Sequence, residues 1–199
     1  FTLYPEIFPG PLSKGLYGKA LSNKIWDLEI INIRDSATDK HKTVDDTPFG
    51  GGSGMLLKPD ILAKSIDENL KKSNRIFYLS PKGKKFDQKM ARELSEEKSI
   101  SLICGHFEGI DERVISSRNI EEISIGDFVL SGGETAAFVV LDSILRLLPG
   151  VLGNDKSTCD ESFENGLLEH PQYTKPQIWE DKAVPEVLLS GDNAKTTDW

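Results

Sequence analysis

The sequence predicts an α/β protein in which helices cover a parallel sheet, and three observations support this class. From residue 75 to residue 148, short apolar runs alternate with amphipathic segments at the spacing of strands and helices in turn. Glycine-rich segments follow each of the predicted strands in this region. With 199 residues, of which 38% are hydrophobic, the chain is long enough to bury such a core.

The first third of the chain predicts two strands, a long loop and a helix. Apolar runs at 1–4 and 28–33 are typical of strands, and prolines and a glycine shortly after the first run break regular structure. Residues 34–55 form a polar segment of about 22 residues without an apolar period, which is typical of a functional or mobile loop. Pro59 then begins a helix whose apolar positions share one face.

From residue 75 the predicted strands and helices alternate. The strands are 75–79, 99–104 and 120–125, and the helices are 86–97, 109–116 and 134–148. After Gly150 the apolar period is lost, which predicts a linker ahead of a small C-terminal domain. We therefore expect a first domain at 1–153, a linker at 154–166 and a second domain at 167–199.

The net charge of −8 argues at first against a nucleic-acid partner, but the charge is unevenly distributed along the chain. Residues 71–92 contain eight basic residues and one acidic residue, whereas residues 105–134 contain seven acidic residues and two arginines. The basic block is either a solvated helix face or a phosphate-binding edge, and the sequence leaves both interpretations open.

Composition narrows the class of protein further. The most apolar stretch, 136–148, is interrupted by one acidic and one basic residue and is shorter than the ~20 residues of a membrane-spanning helix. Cys104 and Cys159 lack a CxxC spacing, and the three histidines form no zinc pattern, so we expect a reducing, cytoplasmic setting. Because the first residue is Phe1 rather than methionine, we expect the chain to be a fragment.

The glycine-rich segments after the predicted strands are 80–83, 105–109 and 131–133. In a parallel sheet, ligands bind at the carboxyl ends of the strands, and glycine lets the backbone approach a planar ligand. Each segment alone is equally well explained as a tight turn, but three at one sheet edge favour a ligand site. None is a dinucleotide fingerprint or a phosphate-binding P-loop, which disfavours a dehydrogenase or a P-loop NTPase.

Three charged residues are candidates for acid–base or charge-stabilising roles. Asp160 and Glu161 lie in the polar linker, where they could close over a bound substrate. Arg146, near the end of the apolar helix, either satisfies local carbonyl groups or reaches into a site. Residue types and spacing alone therefore indicate an α/β enzyme with a ligand site and a basic edge.

Longer strings make a more specific prediction. These strings are YLSPKGKKF (78–86), GHFEGIDERV (105–114), SIGDFVLSGGE (124–134), RLLPGVLG (146–153), ESFENGLLEHPQYTKP (161–176) and VPEVLLSG (184–191), with NIRD (32–35) and VDDTPFGGGSGM (44–55). Taken in the order in which they occur along the chain, they resemble the bacterial tRNA (guanine-N1)-methyltransferase family over nearly the whole chain. We expect a few residues to be missing at the start, and the family's usual C-terminal helices to be missing after Trp199.

The resemblance implies the fold of the SPOUT methyltransferases, in which an α/β domain carries a deep C-terminal trefoil knot and is followed by a linker and a small helical domain. Residue patterns alone would predict an unknotted sheet, because knots are very rare. The resemblance also implies that S-adenosylmethionine is the cofactor and that the three glycine-rich strand ends bind it. The implied cofactor-binding residues are Tyr78, Leu79, Ser80, Pro81, Gly83, Gly105, Ile125, Gly126, Asp127, Phe128, Val129, Leu130, Gly132 and Gly133.

The reaction that the resemblance implies is methyl transfer to N1 of the tRNA guanosine just 3′ of the anticodon, at position 37, which maintains the reading frame. Guanine N1 carries a proton at neutral pH, so the chemistry needs a base near N1 and a cation near O6. The positions that supply these groups in the family are Glu161 and Arg146 here. Because the family has Asp where Glu161 stands, and Asp160 precedes it, either acid could be the base.

Other departures from the family pattern are His106 where Arg is common, Phe107 and Phe128 where Tyr is common, and Lys82 where Gln is common. The resemblance further implies a homodimer with the active site at the subunit interface, and a dependence on Mg²⁺ for which the sequence assigns no site. The implied RNA-binding residues are Asp45, Gly51, Gly52, Lys82, Lys84 and Lys85.

Two other functions stay open from sequence alone. One is a non-catalytic tRNA-binding protein that keeps the knotted fold, which the change at Glu161 allows. The other is a metal-dependent phosphate-ester hydrolase that uses the acidic strings, and such an enzyme would not bind S-adenosylhomocysteine tightly.

Overall fold

The computed structural model describes residues 1–70, 75–152 and 170–199. Backbone contacts divide the chain into two compact units, Phe1–Cys159 and Asp160–Trp199. The domain and linker bounds expected from the sequence stay a prediction. Within the described residues, no helix combines the length and the apolar character that crossing a membrane requires.

The first unit is built around a three-stranded parallel sheet. In chain order its helices and strands are α1 (Gly15–Ser22), β1 (Asp45–Asp46), β2 (Leu56–Leu57), α2 (Pro59–Asn69), β3 (Arg75–Lys85), α3 (Gln88–Ser95), β4 (Ile100–Ile103), α4 (Glu112–Ser117), β5 (Glu121–Ser124) and α5 (Glu134–Leu145). The sheet order is β4-β3-β5, and β3 is parallel to both neighbours. The predicted α/β class with a parallel sheet is therefore confirmed.

Helices cover both faces of this sheet because successive residues of β3 point to opposite sides. Phe77 and Leu79 pack with apolar residues of α3 and α5, whereas Tyr78 packs with residues of α2 and α4. Phe77 is fully buried. Burial of a side chain of this size contributes roughly 1.5–3 kcal/mol to stability, so these two clusters hold the layers together.

The strands and helices predicted from residue 75 onward are confirmed in type and order, as is the helix that begins at Pro59. Their observed bounds differ from the predicted ones by a few residues, and the difference is largest in β3. This strand was expected to end at residue 79, but it rejoins its neighbour and continues to Lys85.

The predicted strands at 1–4 and 28–33 are wrong, because neither segment forms a regular strand. Thr2 and Asn32 form a single parallel bridge between them. A turn of 3-10 helix at Pro5–Ile7 follows the first of these segments, and a similar turn at Ile33–Ser36 ends the second. The two segments therefore pair with each other at one position only.

Phe1 nevertheless extends the sheet beyond β4. Its backbone nitrogen donates to the carbonyl oxygen of Leu102 (2.8 Å), and its own carbonyl oxygen accepts from the backbone N of Cys104 (2.9 Å). The start of the chain is therefore fixed beside β4, immediately before the second glycine-rich segment.

Two further features of the first third differ from expectation. No sequence pattern predicted α1. The long segment 34–55 is not structureless, because β1 within it pairs antiparallel with β2, Asp45 opposite Leu57 and Asp46 opposite Leu56. This pairing holds the two ends of a glycine-rich loop together.

The second unit is small in its described part, residues 170–199. A hairpin of β6 (Ile178–Trp179) and β7 (Lys182–Ala183) precedes two short helices, α6 (Glu186–Leu189) and α7 (Asn193–Asp198). Asp192 caps α7 by accepting from the backbone N of Ala194 (3.1 Å). A helical character for the whole of this domain stays a prediction.

Candidate functional site

A cavity of about 240 Å³ opens where β4 and β5 end and where β3 bulges away from the sheet. All three glycine-rich segments contribute to its wall. Of the fourteen predicted cofactor-binding residues, Gly83 and Asp127 are the two that do not line this cavity. The predicted residues that line it are Tyr78, Leu79, Ser80, Pro81, Gly105, Ile125, Gly126, Phe128, Val129, Leu130, Gly132 and Gly133.

The first wall of the cavity is a bulge in β3. Leu79 and Lys84 both pair with Ile123, so residues 80–83 lie outside the ladder between them. Gly83 closes this bulge against β5, where an added Cβ would collide with the backbone of Glu122 and Ile123. Because backbone cannot give way as a flexible side chain can, Gly83 shapes the cavity without lining it.

Tyr78 lies between the first wall and the second glycine-rich segment. A Cβ added at Gly105 would lie 2.6 Å from Tyr78 Cε2, and one added at Gly109 would lie 3.1 Å from the Tyr78 hydroxyl. Burial, helped by the charge of Glu122, raises the pKa of Tyr78 to about 12. The phenol therefore keeps its proton at neutral pH and can donate a hydrogen bond.

The third segment is tied directly to the second. The backbone N of Gly133 donates to the carbonyl oxygen of Gly105 (2.9 Å), and a Cβ added at Gly133 would lie 2.6 Å from the Cα of Cys104. Gly126 has a φ of 153°, and its added Cβ would lie 2.5 Å from Phe128 Cε1. A side chain at Gly133 would therefore push the two segments apart.

Apolar side chains at the edge of the cavity are exposed. Phe128 is 53% exposed, Val129 is 85% exposed and Leu130 is 40% exposed. Three consecutive apolar residues with this exposure are unusual on an isolated chain and are typical of a surface that a ligand or partner covers.

Of the two predicted catalytic residues, the described one, Arg146, does not line this cavity. Arg146 is the C-cap of α5, its backbone N donates to Asp142 O (3.3 Å), and its charge acts on Tyr17 of α1. Because α5 begins at the cavity, its twelve residues place Arg146 about 18 Å away along the helix axis. Glu161, like the alternative base Asp160, lies outside the described residues.

A larger cavity of about 560 Å³ lies elsewhere in the first unit. Its lining includes Phe1, Trp26, Ile31 and Ile100, and none of the predicted cofactor-binding, RNA-binding or catalytic residues is part of it. The smaller cavity is the better candidate site because glycine-rich strand ends surround it.

Comparison with known proteins identifies the family. A family model described as tRNA (Guanine-1)-methyltransferase TrmD matches residues 1–199. The chain is 80% identical to the tRNA (guanine-N(1)-)-methyltransferase of Pelagibacter ubique, over 100% of the chain and 87% of that protein. It is 57% identical to the enzyme of that name from Bartonella tribocorum (100% and 85%) and 52% identical to the one from Rhodospirillum rubrum (100% and 83%).

The chain belongs to the tRNA (guanine-N1)-methyltransferase family. The resemblance deduced from the sequence strings is thus confirmed.

The residues that the family resemblance assigns to RNA are exposed, except for the half-buried Asp45. Asp45 is in β1, and Gly51 and Gly52 follow it in a loop where their φ values are 79° and 118°. An added Cβ at either glycine would have no atom within 4 Å, so the loop surface there is open. The predicted lysines on the far half of β3, all with exposed side chains, are Lys82, Lys84 and Lys85.

This glycine-rich loop contacts the wall of the cavity. The backbone N of Glu108 donates to Met55 O (2.9 Å), and the backbone N of Leu57 donates to Gly109 O (2.9 Å). A Cβ added at Gly54 would collide with the side chain of Glu108. In this member of the methyltransferase family, the expected RNA loop and the cavity therefore share a wall.

Sequence reasoning did not assign several residues that line the cavity, among them His106, Phe107 and Glu108. The signal that could have found them was continuity, since they lie inside the string from residue 105 to residue 114. Among the described residues, no three His, Cys, Asp or Glu side chains are grouped so that they could hold a metal ion. The described side chains therefore offer Mg²⁺ no site of this kind.

Proposed function

We propose that this chain uses S-adenosylmethionine to methylate N1 of guanosine 37 in tRNA, the nucleotide just 3′ of the anticodon. The observation that carries the proposal is the cavity at which the three glycine-rich segments meet. The names of its close relatives support the same reaction. A modification at this position maintains the reading frame in translation, so we propose that the enzyme works in the cytoplasm.

The cavity suits an extended, partly planar cofactor because backbone forms much of its wall. Gly105, Gly132 and Gly133 each leave no room for a Cβ, so ligand atoms would meet peptide groups there. Peptide N–H and C=O groups can pair with the edge of a purine ring. When bound, S-adenosylmethionine supplies an activated methyl group, so the protein needs no covalent intermediate.

Proton removal at guanine N1 is the step that the protein has to assist. We assign the base to Glu161, with Asp160 as the alternative, because the family's acid precedes the same Ser-Phe pair. As the proton passes to the carboxylate, negative charge develops at O6 of guanine. The guanidinium of Arg146 would stabilise that charge, while N1 takes the methyl group directly and S-adenosylhomocysteine is left as the second product.

A homodimer would complete this site. Arg146 and the cavity of its own chain lie at opposite ends of α5, about 18 Å apart, which is beyond the reach of one side chain. A second copy that packs against the exposed residues 128–130 could bring its own Arg146 to the cavity. Self-association of this kind also explains why these apolar side chains are exposed in the single chain.

The fold that we propose is that of the SPOUT methyltransferases, with a deep trefoil knot in the C-terminal part of the first domain. Family membership supports the knot, and the parallel order β4-β3-β5 is compatible with it. The proposed layout is a cofactor domain at 1–153, a linker at 154–166 and a small helical domain at 167–199.

Transfer to tRNA is the first prediction. We expect the protein to move a labelled methyl group from S-adenosylmethionine to a tRNA transcript that carries guanosine 37, and digestion should yield 1-methylguanosine. A matched transcript with adenosine 37 should stay unlabelled. Single-turnover conditions decide between the functions, because binding of both cofactor and tRNA without any transfer would indicate a non-catalytic tRNA-binding protein.

The identity of the base gives the second prediction. Glu161→Gln should slow the methyl-transfer step about 100-fold at saturating cofactor, because the amide cannot accept the N1 proton. The matched variant Asp160→Asn should change the rate little, and neither should alter cofactor affinity. If Asp160→Asn is the damaging change and Glu161→Gln is mild, the assignment of the base is wrong.

Complementation between chains gives the third prediction. Arg146→Ala should retain the cavity, and Gly105→Ala should retain the arginine while its Cβ crowds Tyr78. Each variant should be nearly inactive alone. A mixed dimer isolated through two different tags has one complete site of two, so we expect about half of wild-type activity. A mixed dimer as inactive as its parents would contradict a site shared between copies.

The basic edge gives the fourth prediction. Replacing Lys82, Lys84 and Lys85 together by Gln should weaken tRNA binding about 10-fold and flatten the dependence of log affinity on log salt, because fewer counterions are released. The matched control replaces the exposed Lys14, Lys19 and Lys24 and should change neither quantity. Binding of wild-type protein that is independent of salt would contradict this role.

A further inference from the structure

A buried chain of hydrogen bonds links Thr2 to the cavity wall. The Thr2 hydroxyl donates to Glu134 Oε1 at 2.6 Å. The other carboxylate oxygen of Glu134, Oε2, lies 2.7 Å from His106 Nε2. The residues joined are 132 positions apart in the first bond and 28 positions apart in the second. The bonds therefore connect residues 1–4, the second glycine-rich segment and the first turn of α5.

The burial of Glu134 indicates that this carboxylate has a structural role. Glu134 is 5% exposed and Thr2 is 1% exposed. A buried carboxylate is strongly destabilising unless its oxygens have hydrogen-bond partners, and here each oxygen has one. Its place in the first turn of α5 adds a favourable interaction with the helix dipole.

His106 occupies a narrow slot between this carboxylate and the cavity. Its ring lies directly against Gly132, where an added Cβ would collide with Cε1. The ring of Tyr4 meets it edge-on with 4.9 Å between centroids. The contact of 2.7 Å between His106 Nε2 and Glu134 Oε2 holds the imidazole in this orientation.

The two glycine-rich segments that Glu134 connects both line the cavity. One of them contains His106, and the other contains Gly132 and Gly133, immediately before Glu134. Two polar contacts join these segments: the backbone bond from Gly133 N to Gly105 O, and the side-chain contact of Glu134 with His106. Loss of that link would leave their spacing to one backbone hydrogen bond and to the packing of Gly133 on Cys104.

We propose that Glu134 is a positioning residue for cofactor binding, which holds His106 against Gly132 and keeps the second and third glycine-rich segments at the spacing that the cofactor needs. Thr2 orients the carboxylate from the opposite side, and its hydroxyl in turn accepts from the backbone N of Tyr4 (2.9 Å). This inference rests on the proposed function, because it concerns the same cavity.

The test compares Glu134→Gln with the wild-type protein, using S-adenosylhomocysteine as the probe in titration calorimetry. Thr2 and His106 contact different oxygens of Glu134, and in glutamine an NH2 group, which only donates, replaces one of these two acceptors. We expect S-adenosylhomocysteine to bind at least about 10-fold more weakly, whereas kcat at saturating cofactor stays within about 3-fold. The matched control is Glu112→Gln in the first turn of α4, an exposed acid for which no change is expected.

Two further comparisons separate positioning from general destabilisation. Thr2→Val, which lacks the hydroxyl, should weaken binding in the same direction, whereas Thr2→Ser, which keeps it, should bind like wild type. In a His106→Ala background, Glu134→Gln should have little additional effect, because its partner is already absent. If Glu134→Gln does not fold, the Thr2 pair decides the question by itself.

The outcomes distinguish this inference from the proposed function. If the wild-type protein does not bind S-adenosylhomocysteine, the proposed cofactor site is wrong and the positioning role is wrong with it. If the wild type binds it and Glu134→Gln or Thr2→Val binds equally well, the site stands and the positioning role is overturned. A variant that lowers kcat alone, with affinity unchanged, also overturns it.

Discussion

The candidate site depends on a close approach between two backbones. Where β3 meets β5 for the second time, Gly83 lies against the backbone of Glu122 and Ile123, and no side chain could occupy that position. This contact lets β3 skip residues 80–83 and then resume its pairing at Lys84. The skipped residues become a wall of the cavity, so the shape of the site follows from the register of the sheet.

Further close approaches fix the opposite wall, and they explain why the site is rich in glycine. Gly133 packs on Cys104, and burial raises the pKa of that thiol to about 12, so it stays protonated and inert at neutral pH. The cavity can therefore hold and orient a ligand. The groups proposed for the chemistry, Glu161 and Arg146, come from other parts of the chain or from a second copy.

Local patterns explain which parts of this molecule could be predicted. The strands and helices after residue 75 follow from apolar spacing over a few residues, and the cavity segments follow from glycine at successive strand ends. The pairing of Thr2 with Asn32 and the bond from Thr2 to Glu134 join distant residues, so no local pattern indicates them. The return of β3 to β5 was also not predictable. Gly83 suggests a loop in the sequence, but in the structure it permits the close approach at which β3 resumes its pairing.

The most direct test of the cofactor site is hydrogen exchange with and without S-adenosylhomocysteine. The three segments 78–83, 105–109 and 125–133 should become protected together, because one ligand would contact all of them. The lining of the larger cavity, around Trp26 and Ile31, should exchange at an unchanged rate. Protection confined to that larger cavity, or absent from the three segments, would contradict the assignment of the cofactor site.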